Sequence, residues 1–89
     1  MAAGCTAVIK PSELTPLSAL ALCAIAQEAG LPPSVLSCIT VAREEVEEVG
    51  KALATNPNIR KLSFTGSVAV GKWLSAESSG TLKKVRLVI

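Results

Sequence analysis

Four short runs of apolar and β-branched residues, at 5–9, 35–41, 59–65 and 82–89, alternate with three helical patterns. A strand, a crossover helix and the next strand pair in parallel, because a helix-length connection returns the chain to the same end of the sheet. The order therefore predicts an α/β fold, a Rossmann-like parallel sheet of about four strands alternating with three helices. Ligands are expected at the carboxyl ends of its strands. Two connections fall at that edge: residues 10–13 after the first strand and residues 65–67 after the third.

Local signals fill in this outline. The first strand is almost continuously apolar, which predicts burial on both faces. Thr15-Pro16 opens the first helix, since Pro suits the first helical position, and Gly30 ends it. Residues 17–29 carry Ala and Leu around most of the circumference and are expected to be covered on several sides. Glu44, Glu45, Glu47 and Glu48 crowd the start of the second helix, where acid suits the dipole; this run reads as a solvated face. Val46, Val49 and Leu53 recur at helical spacing until Asn56-Pro-Asn58 breaks the pattern. The third helix runs over 68–79, with Gly80 as its stop.

With 89 residues there is room for one domain at most, and so short a chain buries only roughly 60% of the surface its unfolded form exposes. An apolar content of 49% is high for that size, so part of the apolar surface is expected to be covered by further protein, and the domain reads as incomplete.

Composition also excludes chemistry. The chain has no His, and all seven acidic residues are Glu, which leaves no Ser-His-Asp triad, no His-ligated metal and no Asp-held magnesium within it. Cys5, Cys23 and Cys38 are an odd count without Cys-x-x-Cys spacing. Each sits among apolar neighbours and reads as a small core hydrophobe. The net charge is +2 with basic residues scattered apart from Lys83, Lys84 and Arg86, and there is one Phe, one Trp and no Tyr, so no nucleic-acid partner is implied. No run approaches a membrane span and residues 1–6 lack a leader pattern. The reading is a soluble intracellular protein, cytoplasmic or of the mitochondrial matrix, without a membrane partner.

Residues 61–73, Lys-Leu-Ser-Phe-Thr-Gly-Ser-Val-Ala-Val-Gly-Lys-Trp, join a strand to a helix through Thr65, Gly66 and Ser67. A glycine there allows close backbone approach, and the helix start aims free N–H groups at the same point, as a phosphate-binding turn requires. The plainer alternative is a strand-to-helix turn with Ser67 as an ordinary N-cap. Gly66 to Lys72 also fits Gly-x-x-x-x-Gly-Lys, but Trp73 stands where a nucleotide-triphosphate loop needs a magnesium-binding hydroxyl, which disfavours that reading. In the other loop Glu13 is a candidate to accept from ribose hydroxyls, with Lys10 as a donor beside it; a solvated turn is the alternative.

Three stretches carry a resemblance: Gly4-Cys-Thr-Ala-Val-Ile-Lys-Pro-Ser-Glu-Leu-Thr-Pro16, Ala29-Gly-Leu-Pro-Pro33, and Leu62-Ser-Phe-Thr-Gly-Ser67 with Val70-Gly71-Lys72. Together they resemble the coenzyme-binding domain of the aldehyde dehydrogenase superfamily over nearly the whole chain, and residues 35–50 with Lys72-Trp-Leu74 are similar to its succinate-semialdehyde branch. The resemblance implies that residues 1–89 are a partial NAD(P)-binding domain. The parent would be a homo-oligomeric enzyme that oxidises a small aldehyde to an acid with NAD, NADP being possible. It implies that Lys10 and Glu13 hold the adenosine ribose, Ser67 meets the diphosphate and Val70 packs on adenine. The cofactor-binding set is then Lys10, Ser12, Glu13, Gly66, Ser67 and Val70, with no catalytic and no metal-binding residue.

The departures matter as well. The family's aldehyde-polarising Asn lies upstream of what Met1 opens, and its general-base Glu would stand at Val88. No family nucleophile matches the three cysteines. The chain therefore reads as a fragment, expected to oxidise no aldehyde by itself. A non-enzymatic α/β interaction or nucleotide-binding module is the alternative.

Overall fold

The computed structural model describes residues 1–88, and the chain divides into two compact units, residues 1–43 and 44–89. In the first, β1 (Ala7–Ile9) leads through a loop into α1 (Leu17–Glu28) and then β2 (Leu36–Cys38). The strands pair in parallel, Ala7 opposite Leu36 and Ile9 opposite Cys38, as a helical crossover demands. The ladder is shorter than the apolar runs, because β1 offers only three residues for β2 to pair with. One further bond at each end, Ala7 N–H to Val35 O and Ile39 N–H to Ile9 O, closes it.

α1 starts after Pro16, whose carbonyl accepts from Leu20 N–H, so the proline caps the helix and does not open it. At the other end Gly30 takes φ +97°. Its N–H reaches Gln27 O while Leu31 N–H reaches Ala26 O, the paired bonds that satisfy a helix's last carbonyls when a glycine turns left-handed. The expected burial of this helix on several sides is not found: none of its residues is buried, and Leu17 and Ile25 are 77% and 61% exposed. β2 packs against it, and one short strand cannot cover a helix that is apolar all round. Val8 is likewise 52% exposed, so β1 is not buried on both faces.

A 3₁₀ turn (Arg43–Glu45) straddles the sequence boundary between the units, and the second unit continues with α2 (Val46–Thr55), β3 (Lys61–Thr65), α3 (Val68–Ser78) and β4 (Lys84–Val88). β3 and β4 form a parallel ladder five residues long, from Lys61 opposite Lys84 to Thr65 opposite Val88. Their side chains alternate between exposed and half-buried, the period of two that puts Leu62, Phe64, Val85 and Leu87 on one face. Ile89, the end of the expected fourth strand, lies outside the described residues. The four described strands are thus hydrogen-bonded as two parallel pairs.

α2 and α3 pack on one another, and the unit's core lies along α3. Leu74 is 7% exposed, Ala54 is fully buried, and Gly71 and Ser78 are buried as well. Gly50 lets the helices approach: a Cβ there would stand 3.2 Å from the indole of Trp73. Asn56 is extended ahead of Pro57, which ends α2, and the Lys83 ammonium donates to Leu53 O and Asn56 O at 3.2 and 2.8 Å. The Leu53 carbonyl lies in the last turn of α2, where no further helical N–H follows to meet it, and a cation there suits both its hydrogen-bonding need and the helix dipole. Gly80 is not a simple stop. α3 tightens into a 3₁₀ turn over Ser79–Thr81, and the left-handed residue is Leu82, with φ +53°.

Candidate functional site

Each unit carries one of the anticipated loops, at the carboxyl end of its own first strand. In the first unit, residues 10–15 leave β1 and turn into α1. Ser12 builds this turn: its Oγ accepts from Leu14 N–H at 3.3 Å and its carbonyl from Thr15 N–H at 3.1 Å. The Lys10 ammonium donates to the Pro11 carbonyl at 2.8 Å, which folds the side chain back along the loop. Lys10 and Glu13 are half-buried while Ser12 is exposed. The loop thus presents a carboxylate and an ammonium three residues apart, each with hydrogen-bonding capacity left over.

In the second unit, Gly66, Ser67 and Val70 come together in one turn between β3 and α3. Ser67 is the N-cap of α3: its backbone is extended and its Oγ accepts from Val70 N–H at 3.4 Å. The next helical bond runs from Gly71 N–H to Ser67 O, so the N–H groups of Val68 and Ala69 stand ahead of the helix without an intrahelical partner. These groups, the Ser67 hydroxyl proton and the positive end of the dipole make a setting for an anion.

Gly66 earns its place differently from the way its type suggested. Its N–H is taken by Val88 O at 3.1 Å, and its φ is not positive. A Cβ at this position would lie 2.7 Å from Cζ of Phe64, so glycine is needed to seat that ring under the turn. Phe64 is the supporting residue that sequence reasoning passed over, and only its two-residue spacing from Gly66 hinted at it. Val70 and Val68, on the first turn of α3, are 43% and 49% exposed and offer an apolar surface beside the N–H groups. Trp73, where a triphosphate loop would need a hydroxyl, is half-buried with its indole against Gly50.

The cysteines divide. Cys5 is exposed ahead of β1 and is no core residue, a correction that follows from its lying outside the ladder. Cys23 on α1 and Cys38 on β2 are half-buried and free. Burial pushes the Cys38 thiol up from its ordinary pKa, and the nearby Cys23 thiol adds to the rise. Among the described residues no three or more His, Cys, Asp or Glu side chains converge on a point that could hold a metal, and no helix is long and apolar enough to cross a membrane.

This arrangement of parallel strands, crossover helices and a capped turn after a strand agrees with comparison to known proteins. The sequence profile of the aldehyde dehydrogenase family matches residues 1–89, and the chain belongs to that family. The mitochondrial succinate-semialdehyde dehydrogenase of Arabidopsis thaliana is 53% identical over 87 residues, covering 98% of this chain and 16% of the relative. Succinate-semialdehyde dehydrogenase [NADP(+)] 1 of Schizosaccharomyces pombe is also 53% identical, over 98% of this chain and 17% of its own length. Among solved structures, a variant of aldehyde dehydrogenase C from Pseudomonas syringae in complex with NAD+ and octanal superposes with a TM-score of 0.85. It is 43% identical, over 97% of this chain and 17% of that one. The chain thus spans about a sixth of the length of the relatives it matches.

Proposed function

We propose that these residues form the adenine-nucleotide half of the cofactor site of an NAD(P)-dependent aldehyde dehydrogenase acting on succinate semialdehyde. The observation that supports it most is the turn at Ser67: an N-capped helix start with two free N–H groups, preceded by a glycine against which the half-buried Phe64 ring packs, in a chain whose relatives are named succinate-semialdehyde dehydrogenases.

In this reading the Val68 and Ala69 N–H groups and the Ser67 hydroxyl hold the dinucleotide's diphosphate, and Val70 gives an apolar surface to adenine. Glu13 accepts from the ribose hydroxyls, Lys10 donates to the same sugar, and Ser12 holds the loop that presents both. Gly66 acts through Phe64, by fixing the height of the turn. When bound, the cofactor supplies the hydride acceptor for aldehyde oxidation; these residues bind and orient its adenosine end and do not touch the reacting carbon. The enzyme would be a homo-oligomer working in the cytoplasm or the mitochondrial matrix, the latter favoured by the mitochondrial relative.

Glu13 also sets the coenzyme preference. A carboxylate facing the ribose 2′ position repels the extra phosphate of NADP, by roughly tenfold in affinity for a partly exposed pair. Calorimetric titration of the chain with NAD and with NADP tests this. The native chain should bind NAD more tightly, and Glu13→Ser should bring the two affinities together. Equal binding of both by the native chain would remove Glu13 from the ribose.

A further inference from the structure

Two of the three cysteines in the first unit are neighbours in space though not in sequence. Cys23 comes from α1 and Cys38 from β2, the two elements pack together, and Cys38 lies two residues from Leu36, on the same face of β2, while Leu36 lines one groove with Cys23. Cys23 also lines an open groove with Leu20, Gln27, Leu31 and Leu36, so small oxidants reach it from solvent. Both residues are half-buried and neither is bonded in the structure. Little else fastens α1: its own residues are all unburied, and the ladder beneath it is three residues long.

We propose that Cys23 and Cys38 form a peroxide-driven dithiol–disulfide couple that clamps α1 to β2. The Cys23 thiolate attacks one peroxide oxygen, the O–O bond breaks, and the oxygen left on sulfur gives a sulfenic acid while water departs. The Cys38 sulfur then attacks the Cys23 sulfur, the S–O bond breaks and its oxygen leaves as a second water, taking the Cys38 proton. One peroxide is reduced to two waters as two thiols become one disulfide. Cys38 suits the second role: its raised pKa keeps it protonated and weakly nucleophilic toward peroxide, while its place on the β2 face that packs against α1 turns it toward a sulfenic acid on Cys23. A disulfide here would fix the helix that packing leaves loose, and a thiol reductant would free it.

The test is peptide mapping of the whole 89-residue chain after treatment with one equivalent of hydrogen peroxide at low protein concentration. Cleavage after Glu13 and Glu28 places Cys5, Cys23 and Cys38 on three separate peptides, whereas trypsin would leave them on one because Lys10 precedes Pro11. Folded chain should yield the 14–28 peptide joined to the peptide holding Cys38, two hydrogens lighter than the sum, at least tenfold in excess over any link to Cys5. Cys5→Ser should not alter that yield, and Cys23→Ser should abolish it. In strong denaturant the preference should vanish, because the 5–23 and 23–38 loops differ only from about 18 to about 15 residues and close with nearly equal entropy. Comparable links to Cys5 in the folded chain, sulfinic acid on unlinked Cys23, or dimers as the main product would each overturn the couple.

Discussion

The two units are built from the same parts, a parallel strand pair and helical crossovers, yet they are held very differently. In residues 44–89 a five-residue ladder and two packed helices bury Leu74, Ala54, Gly71 and Ser78, and Lys83 closes the end of α2. In residues 1–43 the ladder has three residues and α1 keeps Leu17, Leu20, Leu22 and Ile25 in solvent. The first unit has the more apolar helix and the smaller core. Hydrophobicity supplies a driving force only when another element arrives to cover it, and here that element is present in one unit and absent from the other.

The largest break in this comparison should come from Leu74→Ala. It removes the one large apolar side chain buried among the described residues of the second unit and should cost about 2–3 kcal/mol, toward the lower end for such truncations because a thin core can partly collapse. Hydrogen exchange of α3 and β4 amides would read it as a loss of protection of about that size, with β1 and β2 unchanged. A loss spread equally over both units would mean they unfold as one.

Gly66→Ala should come next. The new methyl meets the Phe64 ring at 2.7 Å, and since the ring's far edge can yield, a cost of about 1–2 kcal/mol is expected. Phe64→Leu in the same chain should recover much of it, which a purely conformational role for Gly66 would not allow. The smallest effect should be that of Leu22→Gln. Leu22 is 52% exposed on α1, and the change should stay within about 0.5 kcal/mol while lowering any tendency of the chain to associate. Destabilisation above about 1 kcal/mol would show that α1 is covered in solution after all.

What was legible in the sequence follows the same division. The strand–helix order, the parallel pairing and the cap at Ser67 were written in local periodicity and turn chemistry, and all are found. The family was legible too, because its motifs occur in order over most of the chain. Strand lengths were overestimated at 5–9 and 35–41, since a ladder is as long as its shorter partner and no single run records that length. The burial of α1 and Cys5 was misjudged for a related reason: apolar type reports what a residue prefers, while burial depends on what packs over it. Leu82 at positive φ, two residues after a glycine better suited to it, shows a turn fixed by the strand that follows more than by its own residue type. The role of Gly66 lay in a contact with a ring two residues away, which propensity does not encode and spacing only hints at.

The central claim, that the turn before α3 binds the diphosphate of a dinucleotide, is tested most directly by following backbone amide resonances of the isotope-labelled chain during titration with NAD. The Val68, Ala69 and Val70 amides should shift first and furthest, saturating with a dissociation constant of about 1 mM because one half-site holds only part of the ligand. Ser67→Ala should weaken that response severalfold. Shifts absent from these three amides at about 10 mM NAD, or a response that Ser67→Ala leaves intact, would contradict the assignment.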